Sequence, residues 1–218
     1  MDEHHRAFDS ISVTGKGQVE AVPDRAVVVI TVEVSDRTLA RAQSEANRRM
    51  AAVLAALRAQ SIADERSRTA WYDVTPQRDY RLARWPVLGY SVSHRVRVTV
   101  EPIERVGEVI DAATASGATS VELYCFDVAD PSAPERDARI RAMADAHTKA
   151  AHLAELAGRR LGKAVQITVD DSWPRRRRAR DYSLYTPMSL VPEHQPTEVR
   201  PEPVEFSITV SVTFTLED

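Results

Sequence analysis

Six histidines and one cysteine are the side chains of this 218-residue chain best suited to move protons, attack carbon or hold a metal. Their spacing decides how much chemistry they can do. His147 and His152 read as one helix but stand five apart, about 140° around its axis, so they cannot bind one ion as an i, i+4 pair does. Asp145 and His152 share a face, yet they lie roughly 10 Å apart along it, too far to share a proton or a metal. His94 falls in phase with the apolar face of a strand and reads as a structural histidine with one hydrogen-bond partner. Cys125 is in phase with Val121 and Leu123 and reads as a core thiol. A single cysteine also excludes an intramolecular disulfide and any multi-cysteine zinc site. Asp170 and Asp171 are adjacent on a strand and point to opposite faces, so they do not form an acid–base pair. No GxSxG nucleophile elbow occurs. The expectation is no catalytic residue, no metal site and no cofactor, hence no enzyme.

Gly15-Lys16-Gly17 invites a phosphate-loop reading. A phosphate loop needs GxxxxGK[ST] opening a helix whose amide N–H groups hold the anion. Here the glycines lead into another strand, where glycine more often marks a bulge or the close approach of another backbone.

The elements that would position these residues follow from hydrophobic periodicity. Ile11, Val13 and Val19 keep period two with the glycines, and Val28, Ile30, Val32 and Val34 do the same beyond Pro23-Asp24, a pair that favours a turn. Leu39, Ala42, Ala46, Met50, Val53 and Leu57 follow helical spacing, with Asp36 or Thr38 as the cap. Residues 66–75 read as a strand, and RDYRLARWPVLG as a loop bearing Tyr80, Trp85 and Pro86. Tyr90, Val92, His94, Val96, Val98 and Val100 share one face of a further strand. A helix after Pro102 turns Ile103, Val106, Val109, Ile110 and Ala113 inward and ends at Gly117. A strand over Val121–Val128 precedes a long alanine-rich helix, residues 134–162, with Met143, Ala146, Ala150, Leu153, Ala157 and Leu161 inward. Its small residues allow close approach to a sheet or a partner helix. Val165–Val169 and Phe206–Leu216 are strands.

Strict alternation means one buried face per strand. It points to an α+β fold, a mixed or mostly antiparallel sheet with long amphipathic helices on one face. Residues 1–10 read as a flexible terminus and 11–218 as one domain carrying a long Arg/Pro-rich loop, 173–203.

That loop holds the one concentrated patch. Arg175, Arg176, Arg177, Arg178 and Arg180 are interleaved with Trp173, Tyr182 and Tyr185, a composition suited to nucleic acid, an anionic membrane or a neighbouring subunit. These eight residues are the partner-binding candidates. The whole chain is 43% hydrophobic and 28% charged with formal net charge −3, which argues against a general nucleic-acid binder. Only Lys16, Lys149 and Lys163 of its 29 basic residues are lysine. The terminus MDEHHRAFDS has no apolar core of a secretory signal, and no stretch approaches the roughly 20 apolar residues of a membrane helix. As given, the chain reads as cytoplasmic, or as periplasmic or extracellular if its N-terminus was processed or recloned.

Four stretches in order resemble the SIMPL domain (DUF541) family, which includes bacterial periplasmic immunogenic antigens. They are VTGKGQVEAVPDRAVVVITVEV, with V-x-G-x-G and Pro-Asp; LGYSVSHRVRVTVE; ADAHTKAAHLAELAGRRLGKAVQI, with A-x-x-K-A-x-x-L-A-x-x-x-G-x-x-L-G; and FSITVSVTFTLED. The resemblance implies an α+β fold and no established enzymatic activity. It implies large ring-like oligomers or links to the cell envelope or oxidative stress for some bacterial relatives, and a kinase-signalling adaptor for an animal one. It supplies no catalytic residues. The functional expectation is a non-enzymatic, homo-oligomeric scaffold, with protein partners, that is envelope- or stress-related. The alternative is a module that binds an acidic partner through Arg175–Arg180.

Overall fold

A computed structural model describes residues 9–81, 84–170 and 197–218. Elements follow in the expected order: β1 (Ser10–Ala21), β2 (Arg25–Asp36), α1 (Leu39–Ala59), β3 (Ser67–Arg78), β4 (Val87–Val100), α2 (Val106–Ala115), β5 (Ser120–Asp127), α3 (Ser132–Leu156), β6 (Arg160–Asp170) and β7 (Val204–Glu217). The fold is α+β and every strand pairing is antiparallel. The strands divide between two sheets rather than lining one, ordered β1-β7-β6 and β3-β4-β2-β5. Pro23-Asp24 therefore joins strands of different sheets. The described chain splits accordingly into two compact units, residues 23–129 with 197–202, and residues 9–22, 130–170 and 203–218.

In the first unit α1 lies on β2 and β4. Ala42, Ala46, Met50, Val53 and Leu57 form its buried stripe, as their spacing requires, against Val28, Ile30, Val32, Val92, Val96 and Val98. Two arginines on the outer face of α1, Arg48 and Arg49, clamp Glu45 and hold its carboxyl down at about 2. Val199 packs on this core, and the Thr197 N–H and hydroxyl donate to the Asp111 carboxylate on α2 at 3.1 and 2.6 Å. Cys125 is buried, as expected of a core thiol.

In the second unit α3 rests on β1 and β7. Its buried stripe is Ala138, Ala142, Ala146, Ala150 and Ala154, one alanine per turn. Opposite them stand Gly15 and Gly17, where an added β-carbon would overlap the Ala142 and Ala138 carbonyl oxygens. The glycines are thus a seat for a helix backbone, not a phosphate loop.

That closeness also corrects the expected inward face of α3. Leu153 is exposed, Ala157 lies past the helix end, and Leu161 belongs to β6. Helix and sheet backbones in contact leave no room for leucine. The helix stops early because Gly158, at φ +71°, takes the left-handed position. The N–H groups of Gly158 and Arg159 then close back on the carbonyls of Glu155 and Ala154 at 2.9 Å each.

Candidate functional site

Among the described residues, Asp145, His147 and His94 are engaged in capping and packing. The Asp145 carboxylate accepts from Lys149 Nζ at 2.7 Å and from the Lys16 N–H at 2.8 Å, and these bonds, led by Lys149, lower its pKa. His147 stands edge-on to Phe214, ring centroids 6.0 Å apart, and His152 is exposed. His94 lies on β4 between Tyr72 of β3 and Val32 of β2, its ring edge-on to Tyr72 at 5.1 Å. Its buried Nδ1 has no hydrogen-bond partner, where the sequence suggested one, and desolvation lowers its pKa. Among the described residues no group of three His, Cys, Asp or Glu side chains could hold a metal ion. The eight partner-binding candidates, Trp173, Arg175, Arg176, Arg177, Arg178, Arg180, Tyr182 and Tyr185, lie outside the described residues.

What the described residues do build is a sheet with two unlike edges. The β1 edge is closed by α3. Lys149 Nζ donates to the Thr14 carbonyl at 3.1 Å, Asp145 accepts from the Lys16 N–H, and Arg141 Nη1 donates to the Gln18 carbonyl at 2.7 Å. The match is metric: four helical residues rise about 6 Å, close to the roughly 6.7 Å of two strand residues. Residues 141, 145 and 149 therefore step along the helix as 18, 16 and 14 step along the strand. Each charged side chain takes a backbone group that would otherwise invite another strand.

The β6 edge is different. β6 pairs with β7 on one side and with no other strand among the described residues. Val165, Ile167 and Val169 are exposed, although Ile167 and Val169 are in register with the buried Val212 and Val210. Register shifts at Leu161/Ala164 and Ala164/Gln166 leave residues 166–170 as its regular part.

In the four-stranded sheet the β3 edge is blunted by Pro76, Arg68 and Arg78, and the β5 edge is eight residues long. Sequence reasoning missed the capping role of Arg141, Asp145 and Lys149. The available signal was three charges at i, i+4 spacing on a helix with an alanine stripe.

These features define a class: an α+β protein of small antiparallel sheets, with one sheet edge sealed by its own helix and the other, β6, paired with no further strand among the described residues. The chain belongs to the SIMPL family, described as "Protein of unknown function (DUF541)", which it matches over residues 11–214. It is similar to the "26 kDa periplasmic immunogenic protein" of Brucella abortus (strain S19), 33% identical over 163 residues that cover 72% of this chain and 65% of that one. It is similar also to the protein of the same name from Brucella melitensis, 32% identical over 72% of this chain and 65% of that one. "Uncharacterized protein YggE" of Escherichia coli (strain K12) is 29% identical over 157 residues, 72% of this chain and 64% of that one. The matched region spans a little under two thirds of the length of these relatives. No helix among the described residues is long and apolar enough to cross a membrane.

Proposed function

We propose that this protein is a non-enzymatic assembly module that joins copies of itself through β6 and acts in the bacterial envelope. One observation carries the reading: the three-stranded sheet seals its β1 edge with Arg141, Asp145 and Lys149, whereas among the described residues β6 has no strand beyond it and Val165, Ile167 and Val169 are exposed. Long apolar edges are a liability that folds usually suppress, and a paired edge is one way to satisfy them. The commitment of Asp145, His147 and His94 to capping and packing supports the non-enzymatic part. The periplasmic names of the Brucella relatives support the compartment.

Gel filtration with light scattering at micromolar concentration is the test. A multimer that Ile167→Lys converts to a smaller species is the expected outcome. A strictly monomeric wild-type protein removes the assembly reading. A multimer indifferent to Ile167→Lys removes β6 as its contact.

A further inference from the structure

The β3–β4 hairpin ends in a cluster that the core does not require. Tyr80, Trp85 and Leu88 are 70%, 56% and 58% exposed, and Val87 is exposed beside them. Tyr80 and Trp85 lean on each other edge to face, ring centroids 5.7 Å apart.

The described residues of the tip are nevertheless tied to one another. The Asp79 N–H donates to the Pro86 carbonyl at 3.1 Å, Arg78 Nη1 donates to the Trp85 carbonyl at 3.1 Å, and the Arg81 N–H and Nε both reach Asp79 Oδ1. Arg84 and Trp85 sit at φ +70° and +44°, in the left-handed region, without being glycine or asparagine. Backbone strain of this kind persists where the surroundings enforce it, and it clusters at functional segments. Here it presents an indole to solvent. Three arginines, Arg78, Arg81 and Arg84, flank the aromatics against the single carboxylate of Asp79.

We propose that this tip docks on an anionic lipid surface, with Trp85, Tyr80 and Leu88 at the level of the headgroups and the arginines on their phosphates. Indole and phenol rings favour the boundary between water and hydrocarbon, because one end of each is apolar and the other polar. Guanidinium matches phosphate oxygens in pairs and is weakly hydrated, so it leaves water readily. The shape of the tip selects this occupant over a protein. A stable protein interface takes about 800 Å² from each partner, more than the end of one two-stranded ribbon provides, whereas a lipid surface needs only a shallow apolar insertion with neighbouring cations. A second copy would bring the same positive charge to the same place.

Flotation of the full chain with vesicles decides it. Binding is expected to phosphatidylcholine vesicles containing about a third phosphatidylglycerol, with release by salt and no binding to phosphatidylcholine alone. Arg81→Gln and Arg84→Gln should each weaken partition roughly 5-fold, and Trp85→Ser with Leu88→Ser should weaken it further, with circular dichroism unchanged. A Trp71→Phe, Trp173→Phe protein, in which Trp85 is the only indole, should shift its emission to the blue on binding. That measurement stands even if a tip variant folds poorly. The proposal is overturned if the wild-type chain ignores anionic vesicles at low salt. It is overturned equally if tip variants bind undiminished, which would move the contact to another surface such as Arg175–Arg180. Tip substitutions that split an oligomer and leave lipid binding intact would make the tip a subunit contact and overturn it too.

Discussion

Gly17 of β1 lies so close beneath Ala138 of α3 that a β-carbon there would overlap the Ala138 carbonyl oxygen. Gly17→Ala should therefore destabilise the protein by about 3 kcal/mol, since backbone on both sides cannot yield as a side chain would. The urea midpoint measures this. Ser12→Ala, exposed on the opposite face of β1, should stay within roughly 0.5 kcal/mol of wild type. Equal effects at the two positions would refute the close seating of α3.

Asp145 gives a dependence on acid. Its folded pKa lies below the ordinary 3.8 because Lys149 and the Lys16 N–H bind the ionised form. The stabilisation is present above the unfolded pKa and is lost as pH falls through the lower, folded one. Melting temperatures of wild type and Asp145→Asn should differ at neutral pH and converge on the acid side. Asp145→Ala, which removes the acceptor of the Lys16 N–H altogether, should in addition give larger soluble species or turbidity at neutral pH.

His94 titrates in a different window. Burial lowers its pKa below 6.5, so the folded protein binds fewer protons there than the unfolded chain. Stability should be full above pH 6.5 and should fall as pH drops from 6.5 towards the folded pKa. His94→Gln should flatten that segment of a stability–pH curve. The facing groups on the neighbouring strands are Tyr72 and Val32. An unchanged slope in the variant would assign the effect to another group.

The Thr197–Asp111 contact should matter to stability rather than to assembly. Asp111→Asn weakens an acceptor that serves both the Thr197 N–H and its hydroxyl, at a cost of about 1 kcal/mol. Denaturant unfolding reads the loss, and light scattering should find the same mass as wild type.

Much of the fold was legible in sequence, because period two and period 3.6 report directly which side chains face a core. The inward stripe of α1 and the one-sided strands followed from that. Periodicity carries no information about which strands pair, so the division into two sheets escaped it: Ile11–Val19 and Val28–Val34 look alike yet pair with β7 and with β4 and β5. On α3 the larger apolar residues misled, because a backbone seat selects alanine and turns Ile140, Leu153 and Leu156 to solvent. The capping of β1 was hidden because three charges on a helix ordinarily read as a solvated face. Nothing in "ARWP" announces two consecutive left-handed residues, since neither is glycine.

If copies pair through β6 as proposed, the sealing of β1 also sets a valence. A subunit that can add a strand on only one side has a single socket for that kind of bond. Pairing two sockets about a twofold consumes both, and growth by that route halts at the pair, where a sheet with two receptive sides would run on into a filament. Under that proposal, sealing β1 with three side chains of α3 would work as a chain terminator, and a closed ring of subunits would need a second, chemically different joint.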